Sequence, residues 1–295
     1  MRRFLTEFLL PSLLFGAVYI GSLLLIAGIL FIAHQESMAA NHAAGLGAAI
    51  IATMVARRRV DQNHWDVGFG GGVGNAFRET VAGVAFAFVL IGGIDLLIIL
   101  TTGFHHELGR GTDFTELFVL FVPAATHEEI LCRGYPFQKL VRINAAGAVI
   151  SFSVLFALLH LGNDAMSALA LGNLVLAGVI LSLAYLLFRR LWFPIGLHIA
   201  WNVLSGPVLG HEVSGLVLPR TALLAIDPGP SVLTGGKFGI EASAITTLGE
   251  VLAIVVLLVL IRWRNRIVPD TVVSVDQSPV PRAGEGQTIE VIAES

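Results

Sequence analysis

The chain of 295 residues is 55% hydrophobic and 13% charged, with a mean hydropathy of +0.81, against roughly 25% charged residues in a soluble globular domain. So thin a charge excludes a fully water-coated surface. The formal net charge of −3 gives no reason to expect a nucleic-acid partner, because the basic residues cluster between apolar runs and many of the acids lie in the polar C-terminal stretch. Taken in chain order, the apolar runs are Leu10 to Ala33, Ala40 to Ala56, Thr80 to Leu100, Glu116 to Leu131, Ala145 to Leu161, Ala165 to Phe188, Leu191 to Val208 and Thr247 to Ile261. Most approach or exceed the roughly 18 residues that cross a hydrocarbon core of about 30 Å, which predicts an all-α, multi-pass membrane bundle of about eight spans. The second and fourth runs are short and rich in small or polar residues, the composition that close helix packing in lipid favours.

The first run follows Arg2 and Arg3, but it is longer than a secretory signal core and no small-residue cleavage site closes it, so it reads as an uncleaved anchor. Loop charge tests the eight-span order. With the N-terminus cytoplasmic, Arg57 to Arg59, then Arg133, Lys139 and Arg142, then Arg189 and Arg190, then Arg262, Arg264 and Arg266 all fall on the cytoplasmic side. The alternate loops carry only Arg110, Arg220 and Lys237. Both termini are therefore expected in the cytoplasm.

Residues 1–266 are read as one transmembrane domain, and 267–295 as a disordered tail too polar to fold alone. The stretch from Val60 to Phe77, with His64, Trp65 and the run Gly68 to Gly72, reads as a cytoplasmic loop or short interfacial helix. No Lys-Ser/Thr follows those glycines, so they are not a phosphate loop. Arginine outnumbers lysine, and alanine and glycine are abundant, which suggests a prokaryotic plasma membrane as the setting.

Charged and hydrogen-bonding groups inside apolar runs are the informative anomaly, since a charge at a helix centre costs about 2.5–3.5 kcal/mol on insertion scales. The fourth run ends Thr126-His127-Glu128-Glu129-Ile130-Leu131-Cys132-Arg133. At helical spacing Glu129 and Arg133 share a face and suit an ion pair, while Glu128 projects elsewhere. The fifth run places Phe156 and His160 four residues apart, and the seventh does the same with His198 and Asn202. Helix-end acids are often merely wetted, and a lone membrane histidine often only packs; three runs each supplying polar groups are harder to dismiss. A carboxylate, two imidazoles and a carboxamide form a set able to activate water and hold an oxyanion, and they could also bind a metal.

Glu-Glu-x-x-x-Arg, Phe-x-x-x-His and His-x-x-x-Asn, in that order on successive hydrophobic runs, resemble the CPBP family of intramembrane proteases. That family includes the CaaX prenyl endopeptidases and Abi-like bacterial proteins linked to bacteriocin processing and self-immunity. The resemblance covers roughly residues 118–209. It implies Glu128 as the acid that activates water with His160, His198 and Asn202 as oxyanion donors, and Glu129, Arg133 and Phe156 as supporting groups. It implies peptide or lipid-anchored protein substrates in a lipid setting. Family members are described both as metal-independent and as metalloproteases; a divalent ion such as zinc would fall to Glu128, His160 and His198. The competing class is a non-catalytic transporter or scaffold that uses the same groups for ion binding or packing.

Other chemistries fit less well. His127-Glu128 opens a helical zinc motif, but Leu131 stands where the second histidine belongs. Cys132, the single cysteine, excludes an internal disulfide and reads as an inert buried thiol. His105 and His106, with Glu107, read as a solvated loop. Tyr185, Trp192 and Trp263 are expected to anchor at the membrane interfaces. One mismatch stands: His160 lies about 22 Å along its run and His198 only about 10 Å, at about 1.5 Å per residue. A continuation of the fourth helix past Arg133, kinked near Pro136, would let the two meet.

Overall fold

A computed structural model of the chain describes residues 2–35, 37–61 and 66–267. His64, Trp65 and the tail from residue 268 onward, expected to be disordered, lie outside the described residues. Among the described residues nine principal helices follow one another: α1 (Arg2–Ile32), α2 (Met38–Asp61), α3 (Gly72–Thr102), α4 (Phe114–Arg133), α5 (Tyr135–Val141), α6 (Ala145–Leu159), α7 (Ala168–Phe188), α8 (Trp192–Val203) and α9 (Ala244–Ile267). A two-stranded antiparallel ribbon, β1 (His105–Leu108) with β2 (Leu223–Ile226), closes one end, with His106 opposite Ala225.

All eight apolar runs are helical. Five helices, α1, α2, α3, α7 and α9, are long and apolar enough to cross a membrane, so the chain is an integral membrane protein. The other three runs fall short by those measures. α6 has 15 residues and α8 has 12, and α4 is broken up by the charges that make it chemically interesting. α7 is the most enclosed of the five spans, with α6, α8 and α9 packed on it.

Small residues set the closest helix approaches. Along α3 the buried stripe is Glu79, Gly83, Ala87, Ile91, Ile94, Asp95 and Ile98, the three-to-four-residue spacing of one helical face. Its glycine meets α8: a Cβ on Gly83 would lie 2.3 Å from the Phe193 carbonyl oxygen, and one on Gly196 would lie 2.4 Å from that of Thr80. α6 and α7 cross as tightly, with a Cβ on Gly178 placed 2.7 Å from Ser153 Cα. The buried face of α2 is Ala44, Gly45, Ala48, Ala49, Ala52 and Ala56.

The basic loops gather at one end of the bundle. Arg190 binds the Glu79 carboxylate, and Lys139 donates to Asp61 at 2.5 Å. The glycine-rich stretch holds this end together. Gly68 adopts φ +91 and its carbonyl accepts from Leu191 N at 2.8 Å; Gly70 accepts from Trp192 Nε1 at 3.2 Å, and Gln138 Nε2 donates to the Val67 carbonyl at 3.1 Å. It is a docking surface for α5 and the start of α8. Tyr185, expected at an interface, is instead buried edge-on against Phe137 at 5.4 Å.

α4 does not run on through Val141. It stops at Arg133, and α5 restarts after Gly134, where a Cβ would lie 2.1 Å from the Ile130 carbonyl oxygen. Pro136 sits in the first turn of α5, where its missing N–H costs nothing. All seven residues of α5 are buried. The difference between about 22 and about 10 Å of rise along straight runs does not keep the two histidines apart, since both reach within 3.8 Å of Glu128.

Candidate active site

Glu128, His160 and His198 converge although they come from three helices. Glu128 Oε2 lies 3.8 Å from His160 Nε2 and 3.7 Å from His198 Nε2. The opposite nitrogen of each ring is already committed. His160 Nδ1 donates to the Phe156 carbonyl at 2.8 Å, and because a carbonyl only accepts, the proton sits on Nδ1. Neutral His160 therefore presents a lone pair at Nε2. His198 Nδ1 donates to Glu129 Oε1 at 2.9 Å, a carboxylate contact that orients the ring. Glu128 Oε2 is buried and has no hydrogen-bond partner of its own.

The supporting groups lie directly beneath. Glu129 and Arg133 are both fully buried and pair at 3.1 Å, one helical turn apart. Arg133 Nη2 donates to the Gly178 carbonyl at 2.9 Å, which ties α4 to α7. Phe156 is the common floor: its ring centre lies 4.7 Å from the Arg133 guanidinium carbon, 4.8 Å from the His160 ring and 5.8 Å from the His198 ring. Removing water around Glu129 and Arg133 makes their mutual neutralisation obligatory.

Glu128, His160, His198 and Asn202 all line one cavity of about 520 Å3. Asn202 is one turn beyond His198 on α8 and half-buried. The cavity is walled mostly by apolar side chains, among them Leu120, Leu131, Leu174 and Leu181. Every residue singled out in the three motifs is therefore at or beneath one site. His127, read as a flanking polar group, lines the same cavity and meets Tyr19 Oη at 2.9 Å.

Other polar residues at this cavity are not visible from the motifs. Glu241, in a turn of the 210–243 segment, accepts from Trp201 Nε1 at 2.9 Å and from Ser214 N at 2.7 Å, closing the far wall. Glu250 of α9 is 1% exposed and lines the same space. Its signal was in the sequence: a carboxylate within an otherwise apolar run, like Asp95 in α3.

Fold and site together define a class: helical integral membrane proteins that enclose a carboxylate, two histidines and an asparagine at a buried cavity. Residues 110–204, which span α4 through α8 and carry the whole set, match the family model described as type II CAAX prenyl endopeptidase Rce1-like. The match agrees with the resemblance read from the motifs. No curated protein and no solved structure matches the chain.

Proposed function

We propose that the protein is an intramembrane endopeptidase that hydrolyses peptide bonds in membrane-associated or lipid-modified, CaaX-type substrates. The observation that carries this reading is the convergence of Glu128, His160 and His198 across gaps of 3.7 and 3.8 Å, too long for direct hydrogen bonds and suited to one bridging water.

In this reading Glu128, helped by the Nε2 lone pair of His160, takes a proton from the water as its oxygen attacks the scissile carbonyl carbon. The negative charge that develops on the carbonyl oxygen is met by the Asn202 carboxamide N–H and by His198 in its protonated form, whose Nδ1–H Glu129 accepts. Collapse of the intermediate breaks the C–N bond, and the proton on Glu128 passes to the departing amine. The apolar cavity wall favours an extended or lipid-anchored tail over a folded protein.

Glu128, His160 and His198 are also the residues to which a divalent metal such as zinc would fall, although their donor atoms do not all lie within 4.8 Å of one another and would have to draw together to hold it. A carboxylate with two imidazoles is a common catalytic ligand set, and the anchored Nδ1 atoms would fix both rings for it. Such an ion would supply Lewis acidity and lower the pKa of a bound water.

The test is cleavage of a fluorogenic prenylated peptide, and of the same peptide without its lipid, by detergent-purified protein with and without chelator. Loss of turnover by at least about 100-fold in Glu128→Ala and His160→Ala is expected. A chelator effect would assign the metal, and preference for the lipidated peptide would assign the substrate class. Stably folded wild type that cleaves nothing would return the protein to the transporter or scaffold class.

A further inference from the structure

A second constellation lies away from the Glu128 cavity, where the β1–β2 ribbon closes the bundle. Asp95 sits in the apolar body of α3 yet is 6% exposed, His106 projects from β1, and His211 follows the end of α8. His106 Nε2 lies 3.1 and 3.0 Å from the two Asp95 oxygens, and His211 Nε2 lies 2.7 Å from Oδ1. One donor atom from each residue falls within 4.8 Å of the others, and among the described residues this is the one such group of three. The expectation that His105 and His106 are simply solvated holds for His105, which is exposed, but His106 is turned inward.

The ring geometry is that of a built site. The two imidazoles stand nearly perpendicular, at 87° with centres 5.7 Å apart, so their Nε2 atoms meet over the carboxylate without the rings stacking. Phe104, itself buried, lies flat on His211 at 4.9 Å and meets His106 edge-on at 5.2 Å, which fixes both rings. A carboxylate so deep in an apolar helix persists only where something compensates its charge.

We propose that Asp95, His106 and His211 form a binding site for a divalent transition-metal ion of the zinc class, separate from the peptidase site and independent of that reading. Two imidazole nitrogens and one carboxylate oxygen are the ligands of zinc, cobalt, nickel or copper; magnesium and calcium prefer all-oxygen cages. Bonds of about 2.0–2.2 Å in a tetrahedron place ligand atoms roughly 3.3–3.6 Å apart, so the carboxylate–imidazole separations, now 2.7 to 3.1 Å, open by about 0.2–0.9 Å. A cavity of about 220 Å3 borders the cluster on its His211 and Phe104 side, with Asp227 and Lys237 on its wall, from which water would reach as fourth ligand. The ion would pin α3, the β1–β2 ribbon and the segment just past α8 to one another. His211 N already bonds the Ser205 carbonyl, and Ser205 Oγ the Trp201 carbonyl, so the clamp bears on the end of the helix that carries His198 and Asn202.

The experiment uses the full chain in detergent, with a non-histidine affinity tag and with Glu128→Ala and His160→Ala to disable the other donor set. Cobalt(II) is titrated and followed by visible absorption, and melting is recorded with and without zinc. One cobalt per chain with the intense bands of four-coordination, displaced by zinc, is expected. Affinity should fall more than about 100-fold in His106→Ala and in His211→Gln, beyond the effect of losing an outer-shell partner. Zinc should raise the melting temperature of the parent and not of the folded variants. No stoichiometric cobalt in the parent, binding unchanged by both substitutions, or a melting temperature indifferent to zinc would each overturn the site. The cluster would then be a hydrogen-bonded clamp only. If both variants fail to fold, the cobalt stoichiometry of the parent alone decides.

Discussion

Glu128 and Glu129 are neighbours in sequence with opposite demands. Glu129 is fully buried between Arg133 and His198, and removing it leaves a buried guanidinium uncompensated. Glu129→Ala is therefore expected to cost about 3–5 kcal/mol and to lower the melting temperature in detergent together with activity. Glu128 Oε2 accepts no hydrogen bond from another protein group, so Glu128→Ala should abolish cleavage while leaving melting unchanged or slightly raised. Equal melting curves for the two variants would remove the distinction. Asn202→Ala, which takes away one neutral oxyanion donor, should lower kcat by about 100- to 1,000-fold with little change in KM. The sequence separated these two acids by helical phase alone, since only Glu129 is four residues from Arg133. It could not show that Glu129 also holds His198, because that partner is 69 positions away.

At the scale of elements, the site depends on how closely bare backbone lets helices approach. Gly196 of α8 stands two residues before His198, and a Cβ there would collide with the Thr80 carbonyl oxygen of α3. Gly196→Ala should push α8 outward, lowering cleavage at least about 10-fold through misplacement of His198 and Asn202. Gly92→Ala is the control, because nothing lies within 4 Å of its added methyl; it should be neutral or stabilising by a few tenths of a kcal/mol up to about 1. Equal activity in both variants would contradict a role for the α3–α8 crossing. The break at Gly134 belongs to the same scale. Continuation beyond Arg133 was legible, but Pro136 suggested a kink, whereas the structure ends one helix and starts another because Pro136 fits a first turn and Gly134 alone tolerates the corner.

For the whole molecule, the clustering of basic loops against the end opposite the β1–β2 ribbon predicts orientation. In a Cys132→Ser background, Arg142→Cys should react with an impermeant maleimide only after the membrane is opened, and Arg110→Cys without opening it; both positions are exposed. The reverse labelling pattern would invert the topology. The sequence by itself determined that the chain lives in a membrane, where its helices lie and which polar residues stand out in them. Those follow from local composition and from period, which read neighbours up to about four positions apart. The shared face of Glu129 and Arg133, and of His198 and Asn202, was legible for the same reason. Only the tertiary structure decided that Glu128, His160 and His198 share one cavity despite unequal depths, that Tyr185 is core, and that Asp95 meets His106 and His211. Those contacts join residues 11 to 116 positions apart, and which of many polar groups meet is set by helix offset, tilt and glycine-sized crossings, which no short window of sequence records.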